Sequence, residues 1–594
     1  MNNIEDNVFT LASTIIVGTY SAELSQDEKY NFVNKTETLF TRITGKQLSF
    51  QKESNFIVGY LPLNNIMSNS DAANSGGLYS VLIGSNNKSR QDWHDDTIDY
   101  MTKSNGSWGI VSLDKRYGSV LGIDRRGIQP LYYYQDNAKL IFSSSLILFR
   151  RFNLGLNIEA VSAFLHFLYV PTPLTIYNKV KSILPEEVLL YENRQLKHYI
   201  KPKRAFEGIT RDEDTSSDSY YHNFENLLCD SMGKAVTSGK KVALMLSGGK
   251  DSSALAIAAN MRGMTDIECI TFGFSPQAID ETSDAQYVAG YLGLPFVSIR
   301  VPDSHYISFW NNFIVALEQP MADPAAFPFY AGFDKYLCKY DIILGGSGND
   351  IYFGNPPNRN ETLSWYLQKR MPLAHYLLKT VSSFESPYIS KIIRSLSLRP
   401  AEELFVSWKG WTYIEIRNMM GINALADRND IYELFKRCSN PLLYKTLFLG
   451  EKWSPQTVFR KEVQFANLSG KCIRYPFVDN ALSDFCGSLP PNYKYNGINN
   501  KVILRQFLKN NLPDRINQKK KGSFVFPRQF ILASDNFNLV NNFLSREIII
   551  KHGFVAPDYA IEYIKKYKRG DKLLEDRIWA LLMLHSWAEL VNND

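Results

Sequence analysis

Val242-Ala243-Leu244-Met245-Leu246-Ser247-Gly248-Gly249-Lys250-Asp251-Ser252-Ser253 is the stretch on which the fold turns. Val242–Leu246 is an unbroken apolar run, as expected of a parallel strand buried on both faces. Two glycines follow, and Ser252–Arg262 then reads as a helix that stops at Gly263. A glycine loop between strand and helix lets the backbone approach an anion, and the helix aims unpaired N–H groups at it. Ser247 and Ser252 add hydroxyl donors. Asp251 would repel an anion unless a cation lay between them, which points to Mg²⁺. The spacing G-x-x-x-x-G-K-[ST] is absent, so this is a different cradle from the P-loop.

Working outward, the alternation continues. Ile267–Phe272 reads as a strand. Ala285, Val288, Ala289 and Leu292 fall at helical spacing before Gly293-Leu294-Pro295. Phe296–Val301 is a strand, Tyr330–Tyr340 a helix and Asp341–Leu344 a strand. That last strand runs into a second glycine loop, Gly345-Gly346-Ser347-Gly348-Asn349-Asp350. This order predicts a doubly wound parallel α/β sheet, whose ligands bind beyond the carboxyl ends of the strands. Both glycine loops fall at such ends, each with one aspartate. After residue 350 the chain reads as mostly helical, closing on a helix with Ile578, Leu581, Leu582 and His585.

Upstream the pattern differs. Thr14–Gly18, Phe56–Tyr60, Leu78–Ile83, Gly109–Leu113 and Leu140–Ser143 are short strands, with one helical stretch at Ile158–Tyr169. His94-Asp95-Asp96 reads as a solvated loop rather than a metal site. Residues 202–220 are polar and poor in aliphatics, which suggests a linker between a first domain, 1–210, and a second, 221–594. With 594 residues, 45% of them hydrophobic, the chain can bury more than one core. Aromatic content is high, with 34 Tyr and 36 Phe, which suits large aromatic cores and is compatible with a groove for a peptide. A net charge of +6 does not imply nucleic acid. Six scattered cysteines without a C-x-x-C pair fit a reducing cytosol. There is no basic leader and no long apolar run, so the expectation is a cytoplasmic protein with no membrane span.

Taken together, these motifs resemble a known family. S-G-G-K-D-S at 247–252 is similar to the pyrophosphate-binding loop of ATP pyrophosphatases, and G-S-G-N-D at 346–350 to the second loop of the asparagine synthetase family. Asp280-Glu281-x-x-Asp284-Ala285, Arg474-Tyr475-Pro476-Phe477-Val478-Asp479, Lys501-x-x-Leu504-Arg505, Leu512-Pro513-x-x-Ile516 and Lys521-Gly522-Ser523-Phe524-x-x-Pro527 follow in the family's order. Upstream, Asp124–Tyr133 is similar to a segment of the attached glutaminase-type domain. The resemblance implies an N-terminal Ntn-hydrolase-like α+β sandwich. It also implies a doubly wound parallel-sheet ATP pyrophosphatase (adenine nucleotide α-hydrolase-like) domain with a helical C-terminal part. The implied chemistry is ATP-dependent: a carboxylate becomes an acyl-adenylate, and an amine then displaces AMP. By the same resemblance Asp251 and Asp350 would hold Mg²⁺. Leu246, Ser247, Gly248, Gly249, Ser252, Phe272, Gly346 and Arg505 would contact the nucleotide. Lys521 would stabilise developing charge.

Departures from the family narrow the expectation. Position 2 is Asn2, where the glutaminase nucleophile would be cysteine, and no cysteine precedes Cys229. Degenerate first domains of this kind occur in β-lactam synthetases and in lasso-peptide macrolactam synthetases. Ser347 stands where relatives carry Glu or Tyr as a candidate base, Ile351 replaces a usual Glu, and Cys472 stands where a Glu commonly precedes R-x-P-F. A poor base at 347 suits an amine that is partly neutral already, such as a peptide α-amine with pKa about 7.7–8.0. The expected reaction is therefore macrolactam closure of a precursor peptide, its N-terminal amine attacking an Asp or Glu side chain. A leader-peptide-binding protein and a leader peptidase would be partners, and nucleic acid would not. The alternatives are amidation of a small carboxylate, as in β-lactam or asparagine synthetases, and an inactive nucleotide-binding paralogue.

Overall fold

The computed structural model describes residues 8–21, 24–62, 78–84, 89–136, 139–185, 187–200, 217–273, 281–300, 308–354, 356–370, 410–411, 413–421, 429–518 and 528–591. Eleven strands between residues 8 and 200 hydrogen-bond into one continuous system. Val8–Ser21 is its seam. The first part of this strand pairs with Leu78–Gly84, and the later part pairs with Phe56–Pro62 and Lys139–Ser143. The register shifts between Ser13 and Ile15, where partners change. Inward residues from most of these strands, including Ile16, Val58, Val111, Leu121, Phe142 and Leu189, meet in one buried cluster. This is the sandwich expected of the first part of the chain, and the five strands read from the sequence all belong to it.

Two helices here were not read from sequence. Gln26–Thr44 opens on a capping box, with Ser25 and Glu28 satisfying each other's backbone donors. Arg90–Lys103 buries Trp93, Thr97 and Met101 at four-residue spacing. His94-Asp95-Asp96 therefore lies on a helix rather than in a loop, and Asp95 points to solvent. The stretch read as a linker, 202–220, falls mostly in 201–216, outside the described residues.

The second sheet is parallel throughout. Its strands are β1 (Val242–Met245), β2 (Glu268–Gly273), β3 (Phe296–Arg300), β4 (Ile342–Leu344) and β5 (Cys472–Arg474), in the order β3-β2-β1-β4-β5. The chain moves outward from β1 to β3 and then returns to β4 on β1's other side. The order thus reverses between β1 and β4, the switch point beyond whose carboxyl ends such sheets form their ligand crevice. Helix α1 (Lys250–Met261) follows β1, and α2 (Thr282–Tyr291) lies between β2 and β3. The one-turn helix α3 (Asp350–Phe353) follows β4, and α4 (Val458–Leu468) leads into β5. Beyond it lie α5 (Asn480–Ser488), α6 (Val502–Asn511) and the long apolar α7 (Glu575–Val591).

Two elements differ from expectation. β5 is three residues long, too short to show a pattern. Tyr330–Tyr340 is not one α-helix: it is α-helical to Ala331, widens to a π-turn at Gly332–Tyr336 and tightens at Leu337–Lys339. The break begins at Gly332, where a side chain would lie 2.7 Å from the ring of Phe272. Much of the aromatic excess serves the core, since Trp310, Trp411, Trp579 and Trp587 are fully buried. Among the described residues, no helix is long and apolar enough to cross a membrane.

Gly248 fixes how the first loop meets the sheet. Its φ is +64°, and a Cβ there would lie 2.6 Å from Cβ of Asp284, at the start of α2. Gly248→Ala is expected to destabilise the chain by about 1–3 kcal/mol in denaturant unfolding.

Candidate active site

The first loop is knitted by its own hydroxyls. Leu246 prolongs β1 by donating its N–H to Ile270 O at 2.8 Å. Ser252 Oγ accepts from the N–H of Ser247 at 3.2 Å and lies 3.2 Å from Ser247 Oγ. Ser247 Oγ accepts from the N–H of Gly249 at 3.2 Å. Gly249 caps α1 without a side chain, and no side-chain cap bond covers the helix N-terminus, which faces the loop where an anion would enter. The second loop packs directly on this one: a Cβ on Gly346 would touch Ser252 at 3.3 Å.

The two aspartates are brought together as expected, but a lysine joins them. Lys501 Nζ lies 2.8 and 2.6 Å from the two oxygens of Asp251 and 2.8 Å from Asp350 Oδ1. Asn349 adds a bond from Nδ2 to Asp251 Oδ1, 2.9 Å. Burial alone would push the Lys501 ammonium to release its proton, but Asp251 and Asp350 overcome that and hold its pKa above the usual lysine value. Lys501 reaches them from an unusual backbone. It precedes α6 in the left-handed region, at φ +57°.

The lysine is more deeply buried than the carboxylates it joins. Its side chain is 5% exposed, whereas those of Asp251 and Asp350 keep 29% and 37% exposure. The two carboxylates therefore keep partial access to solvent. Among the described residues, no group of three or more His, Cys, Asp or Glu side chains could hold a metal by protein ligands alone. Two carboxylates beside an anion cradle suit Mg²⁺, which takes one or two carboxylates and fills its octahedron with phosphates and water.

Ser347 does not stand alone. Its hydroxyl donates to Glu462 Oε1 at 3.1 Å, across 115 residues of sequence. Glu462 sits on α4 and is 3% exposed. Burial lifts its carboxyl to about 7, against the opposing influence of Lys461 and the hydroxyls of Tyr475 and Ser347. A carboxyl poised near neutrality beside the second loop is a candidate for proton transfer that the sequence did not mark.

The remaining candidates fall at the margins. Phe272, next to the end of β2, lies half-buried against Gly332. Arg505, one turn after Lys501, folds back to donate from Nε to Asn500 O at 2.8 Å. Lys521 and Asn2 lie outside the described residues. Nothing in the sequence marked Glu462, which is remote from both glycine loops. Lys501 did open a family motif, but its ion pairs depend on long-range packing.

Glu462 is expected to be mostly protonated below about pH 7 and ionised above it. Infrared difference spectra taken on either side of that pH should show one buried carboxylic acid band, absent in Glu462→Gln.

Comparison with known proteins agrees with this geometry. Residues 223–589 match the asparagine synthase family, and residues 91–201 match the glutamine amidotransferase domain family. The glutamine-hydrolysing asparagine synthetase 1 of Bacillus subtilis (strain 168) is 21% identical over 505 residues, covering 82% of this chain and 78% of its own length. Asparagine synthetase 2 of the same organism is 23% identical over 576 residues, covering 87% of this chain and 71% of its own. Amidase chyE of Penicillium rubens (strain ATCC 28089 / DSM 1075 / NRRL 1951 / Wisconsin 54-1255) is 21% identical over 523 residues, covering 79% of this chain and 76% of its own. Paired glycine loops at the switch point of a parallel sheet and a family match over most of the chain lead to one conclusion: the chain belongs to the asparagine synthase family, as an ATP-dependent ligase that forms AMP and pyrophosphate.

Proposed function

We propose that the chain closes a macrolactam ring in a precursor peptide, joining its N-terminal amine to an Asp or Glu side chain through an acyl-adenylate. The observation that carries this reading is a pair of glycine loops whose aspartates meet at Lys501, in a chain without a thiol upstream. Asp251, Asp350, Lys501 and Glu462 are in place, yet no cysteine precedes Cys229, so the amidotransferase region lacks the residue that would free ammonia from glutamine. The amine then has to come with the substrate. The likeness to a chain named an amidase supports a scaffold used beyond asparagine. A leader-peptide-binding protein and a leader peptidase would be partners in this chemistry.

The steps follow from the site. A substrate carboxylate oxygen attacks the α-phosphorus of ATP, and pyrophosphate leaves. Ser247, Ser252 and the α1 N-terminus hold the phosphates by hydrogen bonds. Asp251 and Asp350 would hold Mg²⁺, which neutralises triphosphate charge when bound. Lys501 keeps the two carboxylates in register, and Lys521 would stabilise charge at the acyl centre. The amine nitrogen then attacks the acyl carbon and AMP departs. Its proton passes toward Glu462, with the Ser347 hydroxyl as a relay. Ser347 without a partner is a poor base, which by itself suits an amine that is already partly neutral. Glu462 supplies that partner, and a base at about 7 matches an α-amine whose own pKa is about 7.7–8.0.

Purified chain with ATP and Mg²⁺ is expected to release pyrophosphate only with a suitable carboxylate, and to remove one water from a linear core peptide. Asp251→Ala and Asp350→Ala should each lower that release by roughly 10²-fold or more. Amidation of a small amino acid, with the peptide left linear, would instead favour the small-carboxylate alternative. Absence of release with every acid tried would favour an inactive paralogue.

A base must be unprotonated to act. Ring closure should therefore rise with pH through about 7 as Glu462 ionises. In Glu462→Gln that limb should vanish from the pH–rate profile, leaving only the titration of the amine.

A further inference from the structure

The amidotransferase region touches the synthetase through a rigid turn. Asp124 is fully buried, and its carboxylate accepts from the N–H groups of Arg126 at 2.9 Å, Ile128 at 3.1 Å and Gln129 at 3.0 Å. A turn held at three points cannot swing freely, so the two arginines it carries have fixed origins. Arg125 clamps α5 from outside, with Nη1 donating to Asp484 Oδ1 at 2.6 Å and Nη2 to Asn480 O at 3.1 Å. Arg126 goes deeper. Its Nη2 donates to Ser483 Oγ, and its guanidinium carbon lies 5.1 Å from the centre of the Tyr352 ring. Ser483 Oγ donates in turn to the Tyr352 hydroxyl at 3.2 Å.

Tyr352 is 2% exposed and belongs to α3, the four-residue helix that begins with Asp350. A single helical turn does not hold itself together and takes its geometry from what grips it. Beside its packing on Pro441–Leu447, Phe448–Trp453 and α5, the grip includes a ring fixed at its face by a cation and at its hydroxyl by a serine that the same cation holds. The carboxylate two residues upstream inherits that placement.

We infer that Arg126 is a positioning residue for the nucleotide site, acting from the other region of the chain through Ser483 and Tyr352 to set Asp350 toward the cation that accompanies ATP. The inference rests on the reading of Asp350 as a metal-holding residue. It assigns the amidotransferase-like region a task that needs no cysteine: bracing the second glycine loop.

The test is calorimetric titration of the full chain with ATP, in Mg²⁺ and in EDTA. Arg126→Met should weaken binding about tenfold in Mg²⁺, as loss of a supporting partner does, and leave binding in EDTA unchanged. Arg126→Lys, which keeps the cation but not the fork, should recover part of that loss. Arg125→Met removes a comparable contact between the regions without touching Tyr352, so it should bind like wild type. Wild-type binding by Arg126→Met, an equal loss with and without Mg²⁺, or the same loss in Arg125→Met would each overturn the inference. If Arg126→Met does not fold, Tyr352→Phe decides: it removes the Ser483 bond and should show a smaller Mg²⁺-specific loss, and unchanged binding would overturn the inference. Failure of the underlying reading looks different. There, Asp350→Asn would bind ATP as wild type does in Mg²⁺, whatever Arg126 does.

Discussion

Two carboxylates on neighbouring loops repel each other, and one buried ammonium keeps them side by side. Lys501 reaches both Asp251 and Asp350 within 2.8 Å. The sheet makes that meeting possible, because the order of strands reverses between β1 and β4 and leaves both loops at one crevice. Gly346 lets the second loop rest on Ser252. Gly248 lets the first loop rest on α2. Strands, glycines and lysine thus converge on one small volume in which negative charge is gathered and only partly neutralised. The remainder is what a metal–nucleotide complex would meet in the proposed reaction.

Much of this was legible in the sequence. β1 and β4 are continuous apolar runs, and each runs into glycines and an aspartate, so the sheet class and both loops could be read directly. What could not be read was set by distance along the chain. Lys501 is 250 residues from Asp251, and Ser347 is 115 residues from Glu462. No local pattern announces such pairs, because burial and tertiary packing create them. β5 and α3 are only three and four residues long and owe their form to neighbours, not to periodicity. The helix Arg90–Lys103 was lost to its polar surface, although Trp93, Thr97 and Met101 lie one turn apart. Lys521 rests on resemblance alone.

The pairing of Ser347 with Glu462 changes how the site handles protons. A serine by itself would leave deprotonation to the solvent and to the amine. A buried carboxyl near neutrality would bring that task inside the protein, next to the second glycine loop. Desolvation creates the base and is the largest influence on its carboxyl. Acid–base tuning here is a packing property of α4 and Tyr475 rather than of any motif.

Lys501 stands in a backbone conformation that favours glycine. Glycine there would relax the chain at the start of α6 and remove the charge that joins the two loops. A search for thermostable variants guided by backbone geometry alone would select that change early. It would return a weaker protein, because removing one partner of a buried ion pair costs about 3–5 kcal/mol, more than the roughly 1–2 kcal/mol that the relaxed backbone returns.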